Sequence, residues 1–95
     1  MERCAQIVQQ RDALLEDAQR EQTVYQREDA EAETLYRAFD HAYNSGVSKA
    51  VLRHYGKAYL YHARKAQEAE KKWRNSSSEA RMLNRLWRRL CGRRR

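Results

Sequence analysis

Nucleophiles and metal ligands are sparse in this chain. Its imidazoles and thiols are limited to His41, His54, His62, Cys4 and Cys91, and these are scattered along the sequence. A metal site or an activated nucleophile needs such groups clustered at a fixed spacing, and no His-x-x-x-His motif, paired cysteines, glycine-rich phosphate loop or nucleophile elbow occurs. The expectation is a non-catalytic protein with no metal and no cofactor. His62 falls on an apolar helix face and reads as a hydrogen-bonding residue at the edge of a core. Cys4 and Cys91 lie near opposite ends and read as small thiols kept reduced in an intracellular setting, cytoplasmic or nuclear.

The side chains with a definite chemistry are the cations, which are sorted along the chain. Residues 1–40 carry five basic and ten acidic groups, residues 41–79 carry eight and three, and residues 80–95 carry seven arginines and no acid. Arg81, Arg85, Arg88, Arg89, Arg93, Arg94 and Arg95 are all arginine, whose planar fork suits phosphate oxygens and the faces of bases. Upstream, Lys49, Arg53, Lys57, Arg64 and Lys71 fall within about 80° of one another on a helix, opposite its apolar face. From Lys49 to Lys71 this stripe would run about 33 Å. Such a pattern implies sequence-independent, salt-sensitive binding of nucleic acid, with nothing that reads bases. A nuclear-import signal, an acidic membrane surface and a calmodulin-like groove that accepts Met82, Leu86, Trp87 and Leu90 are competing readings.

Helices must position these groups. The chain has no proline and three glycines, and 35% of its residues are charged, too many for a large interior in 95 residues. The spacing predicts a first helix over about 3–43 with an apolar stripe through Val8, Leu15, Ala18, Tyr25, Ala32, Tyr36, Phe39 and Tyr43. Ile7, Leu14, Leu35 and Ala42 widen it. Gly46 suits a left-handed helix end and Ser48 caps a second helix over about 49–74, with Val51, Tyr55, Ala58, His62, Ala66, Ala69 and Trp73 on its packing face. Asn75-Ser76-Ser77-Ser78 reads as a second break, Ser76 and Glu79 forming a capping box for a third helix over about 78–91 that bears Leu86 and Trp87. An arginine-rich tail, 92–95, follows. Tyr61 and Leu60 project beside the basic stripe.

Within residues 42–69, Ala42-Tyr43-x-x-Gly46, Ala50, Tyr55, His62, Lys65 and Glu68-Ala69 resemble the helical domain of unknown function that precedes Smr-type, MutS-related nuclease domains, with a one-residue shift between Gly46 and His62. The resemblance implies a helical hairpin in an RNA-related context. This sequence departs from it in carrying no nuclease domain after the match and in its arginine-rich third helix. In size, helicity and charge alone the chain is similar to the dimeric, double-stranded-RNA-binding silencing suppressors of nodaviruses, with which no motif aligns.

These observations predict an all-α, single-domain protein: a long antiparallel helical hairpin plus a short basic C-terminal helix, paired into a dimeric bundle. The first helix should outreach the second, its N-terminal third forming the dimer seam, and Val8, Leu15, Tyr25, Tyr36, Phe39, Tyr55, Trp73, Leu86 and Trp87 should fill the core or that seam. The expected partner is nucleic acid, preferably duplex RNA, held through Lys49, Arg53, Lys57, Arg64, Lys71, Arg81, Arg85, Arg88 and Arg89. The alternative is a helical protein-interaction or oligomerisation module built on the coiled-coil-like first helix and the C-terminal stripe.

Overall fold

The computed structural model describes residues 2–92, so Arg93, Arg94 and Arg95 of the expected tail lie outside the described residues. Two antiparallel α-helices make up the all-α fold, α1 (Glu2–Asn44) and α2 (Lys49–Cys91). The turn between them is built as the sequence suggests. Gly46 takes a left-handed φ of 73°. Its N–H donates to the Tyr43 carbonyl at 3.3 Å, and the Val47 N–H reaches the Ala42 carbonyl at 3.4 Å. This pair of bonds closes the end of α1 in the Schellman manner. Ser48 then caps α2, its Oγ accepting the Val51 N–H at 3.4 Å.

No separate third helix exists. α2 runs unbroken through Asn75-Ser76-Ser77-Ser78, and the expected capping box does not operate. The reason is tertiary. Serine costs a helix interior only a few tenths of a kcal/mol, and Ser76 is buried with its hydroxyl donating across to Asp17 at 3.0 Å. A side chain that bonds the opposite helix has no helix end to cap.

The seam explains why both helices are so long. On α1 the least exposed residues step by fours and threes through Ile7, Arg11, Leu14, Ala18, Glu21, Tyr25, Glu28, Ala32, Leu35, Phe39 and Ala42. On α2 they are Leu52, Tyr55, Tyr59, His62, Ala66, Ala69, Trp73, Ser76, Ala80, Leu83 and Trp87. Both are heptad patterns. The expected stripe on α1 is therefore displaced by one residue at every second step, from Val8, Leu15, Tyr36 and Tyr43 to Ile7, Leu14, Leu35 and Ala42. Leu15 and Tyr36 consequently flank the seam, 48% and 57% exposed, and Leu86 is also exposed. They are not core residues. Val8, Tyr25, Phe39, Tyr55, Trp73 and Trp87 are half-buried, as a two-helix seam allows.

The chain divides into two compact units. The turn unit, Thr23–Glu70, packs Ala32, Ala42, Ala66 and Ala69 at its centre, small side chains that let the backbones approach closely. Tyr36 and Tyr59 pair across the helices with ring centroids 5.8 Å apart. The other unit joins the residues up to Gln22 with those from Lys71 onward. Ile7, Ala18 and Ala80 are its buried apolar residues, and Arg11 donates to Asn84 Oδ1 at 3.0 Å. The N-terminal part of α1 is thus covered by the last part of α2 and does not overhang as a free dimer seam.

The cysteines depart from expectation. Cys4 and Cys91 form a disulfide across 87 residues of chain, a bond that persists in oxidising surroundings. Closing so long a loop restricts the unfolded chain by roughly 4–5 kcal/mol in the chain-entropy account. Among the described residues no large side chain is fully buried, so the covalent link supplements a thin core.

Candidate nucleic-acid interface

Heptad periodicity sorts the cations of α2 onto definite columns. Taking Leu52 as position a, position b holds Arg53, Leu60, Gln67, Arg74, Arg81 and Arg88, and position f holds Lys57, Arg64, Lys71, Ser78 and Arg85. Every one of these residues is exposed, and neither column carries a carboxylate. Arg89 stands exposed at position c. Because the seam occupies a and d, columns b and f point away from α1. Lys49 is different. It occupies position e, beside the seam, and lines an apolar groove.

The helices do not neutralise each other by direct pairing. Arg11 bonds Asp12 at 3.1 Å, Arg20 bonds Asp17 at 3.1 Å and Arg37 bonds Glu33 at 2.7 Å, all within α1. Among the described residues no ion pair engages Lys49, Arg53, Lys57, Arg64, Lys71, Arg81, Arg85, Arg88 or Arg89. Four of the ten acidic groups of α1, Asp12, Asp17, Glu28 and Glu33, are met by arginines of the same helix.

One contact between charged types does cross the seam, and sequence reasoning missed half of it. His62 Nδ1 hydrogen-bonds Glu28 Oε1 at 2.5 Å, with Glu28 buried and His62 half-buried. His62 is the seam hydrogen-bonder expected, but its carboxylate partner comes from α1. The hydrogen bond from His62 holds the Glu28 carboxyl below its usual range, against burial, which works the other way; the charges of His62, Lys65 and Arg27 lower it further. The signal was present in the spacing, since Glu28 falls at position d once the seam is counted from Ala18 and Tyr25.

Beside the basic columns, Lys65 Nζ donates to the Tyr61 hydroxyl at 3.1 Å and lies 4.9 Å from the centre of its ring. The hydrogen bond to Tyr61 holds the Lys65 ammonium above its usual range. Tyr61 and Leu60 are both exposed next to Arg64 and Lys57, as their positions predict. A flat aromatic and an aliphatic side chain there could touch sugars between phosphate contacts.

Two grooves occupy one face of the turn unit. The larger, about 590 Å3, is lined by Tyr36, Phe39, Leu52, Gly56, Tyr59 and Leu60 with Lys49, Arg53 and Lys57 at its border. The smaller, about 360 Å3, shares Tyr36 and Tyr59 and continues away from the turn past Ala63 and Ala66, bordered by Asp29, Glu33 and Glu70. Comparison with family models, curated proteins and solved structures returns no match to this chain, so the resemblance of residues 42–69 gains no support and function has to be read from these residues alone.

Proposed function

We propose that the protein binds nucleic acid without catalysis, RNA and preferably duplex, along the outer face of α2. Arg53, Lys57, Arg64, Lys71, Arg81, Arg85, Arg88 and Arg89 make the phosphate contacts. The observation that carries this reading is that positions b and f of α2 hold arginine and lysine and no carboxylate, with Glu68 the acid on the neighbouring outward position c, and that among the described residues no ion pair engages these eight cations. Helices that merely stay soluble intersperse both signs. A helix face dominated by one sign matches a backbone that repeats its charge at regular intervals, and it recognises shape and spacing rather than sequence.

Titration against short duplex RNA, duplex DNA and single strands at two salt concentrations tests the proposal. Affinity for duplex should fall with salt, log K changing by about −0.9 per log unit of salt for each phosphate neutralised. Alanine at Arg53, Lys57, Arg64, Lys71, Arg81, Arg85, Arg88 and Arg89 together should abolish binding and the salt slope. Binding that survives this substitution sinks the assignment.

A second reading has its own observation. Met82, Leu86 and Leu90 are exposed in the unit that holds the disulfide, and an apolar patch of this kind fits a partner's hydrophobic groove. Complexes formed that way would be nearly indifferent to salt.

A further inference from the structure

Gly56 stands inside α2, where glycine weakens a helix relative to alanine. The packing of the chain does not call for it. A Cβ there would meet only Phe39 Cε2, at 3.9 Å, an ordinary contact. What the missing side chain leaves bare is the floor of the larger groove, about 590 Å3, between Tyr36 and Phe39 of α1 and Leu52, Tyr59 and Leu60 of α2. Leu60 and Tyr36, 50% and 57% exposed, form apolar walls at one end of it. No carboxylate lines this groove, and its charged residues are Lys49, Arg53 and Lys57. Steps of four place these cations along one edge of α2. Among the described residues none of the three is in an ion pair, and Glu33 of the adjoining groove is already held by Arg37 at 2.7 Å.

A ligand complementary to such a groove joins a hydrocarbon body to an anionic head. Lys49 to Leu60 spans about 16.5 Å along a helix, the reach of an extended chain of about twelve carbons. We propose that this groove binds a long-chain fatty acid, its carboxylate between Lys49 and Arg53 beside the turn and its chain laid over Gly56 against Phe39, Tyr36, Tyr59 and Leu60. Lys49 and Arg53 are neighbours on the helix surface, so one carboxylate reaches both. Past the Tyr36–Tyr59 pair the next groove is bordered by Asp29, so the anionic head belongs at the turn end. The stem of Lys57 covers the chain while its ammonium stays in water. Arg53 and Lys57 also border the outer face, but Lys49, Leu52 and Gly56 belong to the groove alone, which makes this inference independent of the nucleic-acid reading.

The test is calorimetric titration of the full, oxidised chain with dodecanoate below its micellar concentration, with amide NMR to locate the ligand. Uptake should saturate at one molecule per chain, and the largest shifts should fall at Gly56 and its neighbours. Butyrate, which lacks most of the chain, should bind at least about a hundredfold more weakly. Dodecyltrimethylammonium, the same chain with the opposite charge, should bind at least about tenfold more weakly than dodecanoate. Gly56→Leu should fill the groove and remove binding without lowering Tm, because leucine favours a helix over glycine. Lys49→Gln with Arg53→Gln should weaken dodecanoate about tenfold and leave dodecyltrimethylammonium no worse. The proposal is overturned by a chain with no saturable uptake, whether its groove is open or covered by a second copy. It is equally overturned by dodecanoate that binds Gly56→Leu as well as the parent, which would place it on another surface such as Met82, Leu86 and Leu90, or by dodecyltrimethylammonium bound as tightly as dodecanoate.

Discussion

The turn unit and the disulfide unit solve the same packing problem with different means. Both are paired segments of α1 and α2 with alanine at their closest points, Ala32, Ala42, Ala66 and Ala69 in one, Ala18 and Ala80 in the other. The turn unit is closed by local backbone chemistry, Gly46 and Ser48, and carries a partly buried Glu28–His62 hydrogen bond and the Tyr36–Tyr59 pair. The disulfide unit has no connecting turn of its own. Its strands of helix are far apart in sequence, and they are held by the Cys4–Cys91 bond and by the Arg11–Asn84 and Ser76–Asp17 hydrogen bonds. A short loop costs little entropy to close and a long one costs more. The covalent link sits where the chain entropy opposing association is greatest.

Reduction of the disulfide is the severest way to break this comparison. Serine at Cys4 and Cys91 should cost roughly 4–5 kcal/mol, lowering Tm by about 20 °C or more in a chain of this size. Hydrogen exchange should rise first in residues 2–22 and 71–92 and leave 23–70 protected at moderate temperature. Equal loss in both units would show that they do not differ in what holds them.

Acid should act on the other unit. Glu28 has its carboxyl held below the usual range in the folded chain, so the stabilisation it contributes is present above the unfolded value, about 4.3, and is lost as pH falls through the folded one. Unfolding of the parent chain should therefore become easier below about pH 4, and Glu28→Gln should flatten that dependence. Unchanged acid sensitivity in Glu28→Gln would assign it to other carboxylates. The smallest effect expected is that of Gly46→Ala. Open space surrounds the Cβ position, but the left-handed φ costs a residue with a Cβ about 1–2 kcal/mol, read as a Tm lower by roughly 4–8 °C per kcal/mol. A chain with Gly46→Ala that unfolds as the parent does would show the turn to be a passive connector.

Much of this was legible in the residues. The left-handed position of Gly46, the Ser48 cap, the start of α2 and the outward aim of Arg53, Lys57, Arg64 and Lys71 all follow from local rules, because each depends on a few neighbouring residues. Three features were not legible. The α1 seam was set one residue off at alternate steps, since Val8, Leu15, Tyr36 and Tyr43 are as apolar as Ile7, Leu14, Leu35 and Ala42, and hydrophobicity alone cannot rank adjacent columns. Ser76 reads as a cap because serine's hydroxyl serves a helix end and an opposing helix equally well. Lys49 belonged to the same stripe by angle, yet the drift of a heptad seam along a straight-helix projection places it beside the groove.

By itself the sequence determined the helical class, the position of the turn and a basic outer face, all consequences of propensity, capping and periodicity within a single segment. Tertiary structure alone decided that α2 is continuous, that Glu28 meets His62, and that Cys4 meets Cys91. Each of those depends on which residue of α1 lies opposite which residue of α2. That register is set by the length of the turn and the close packing of alanines from both helices, information that no single helix contains.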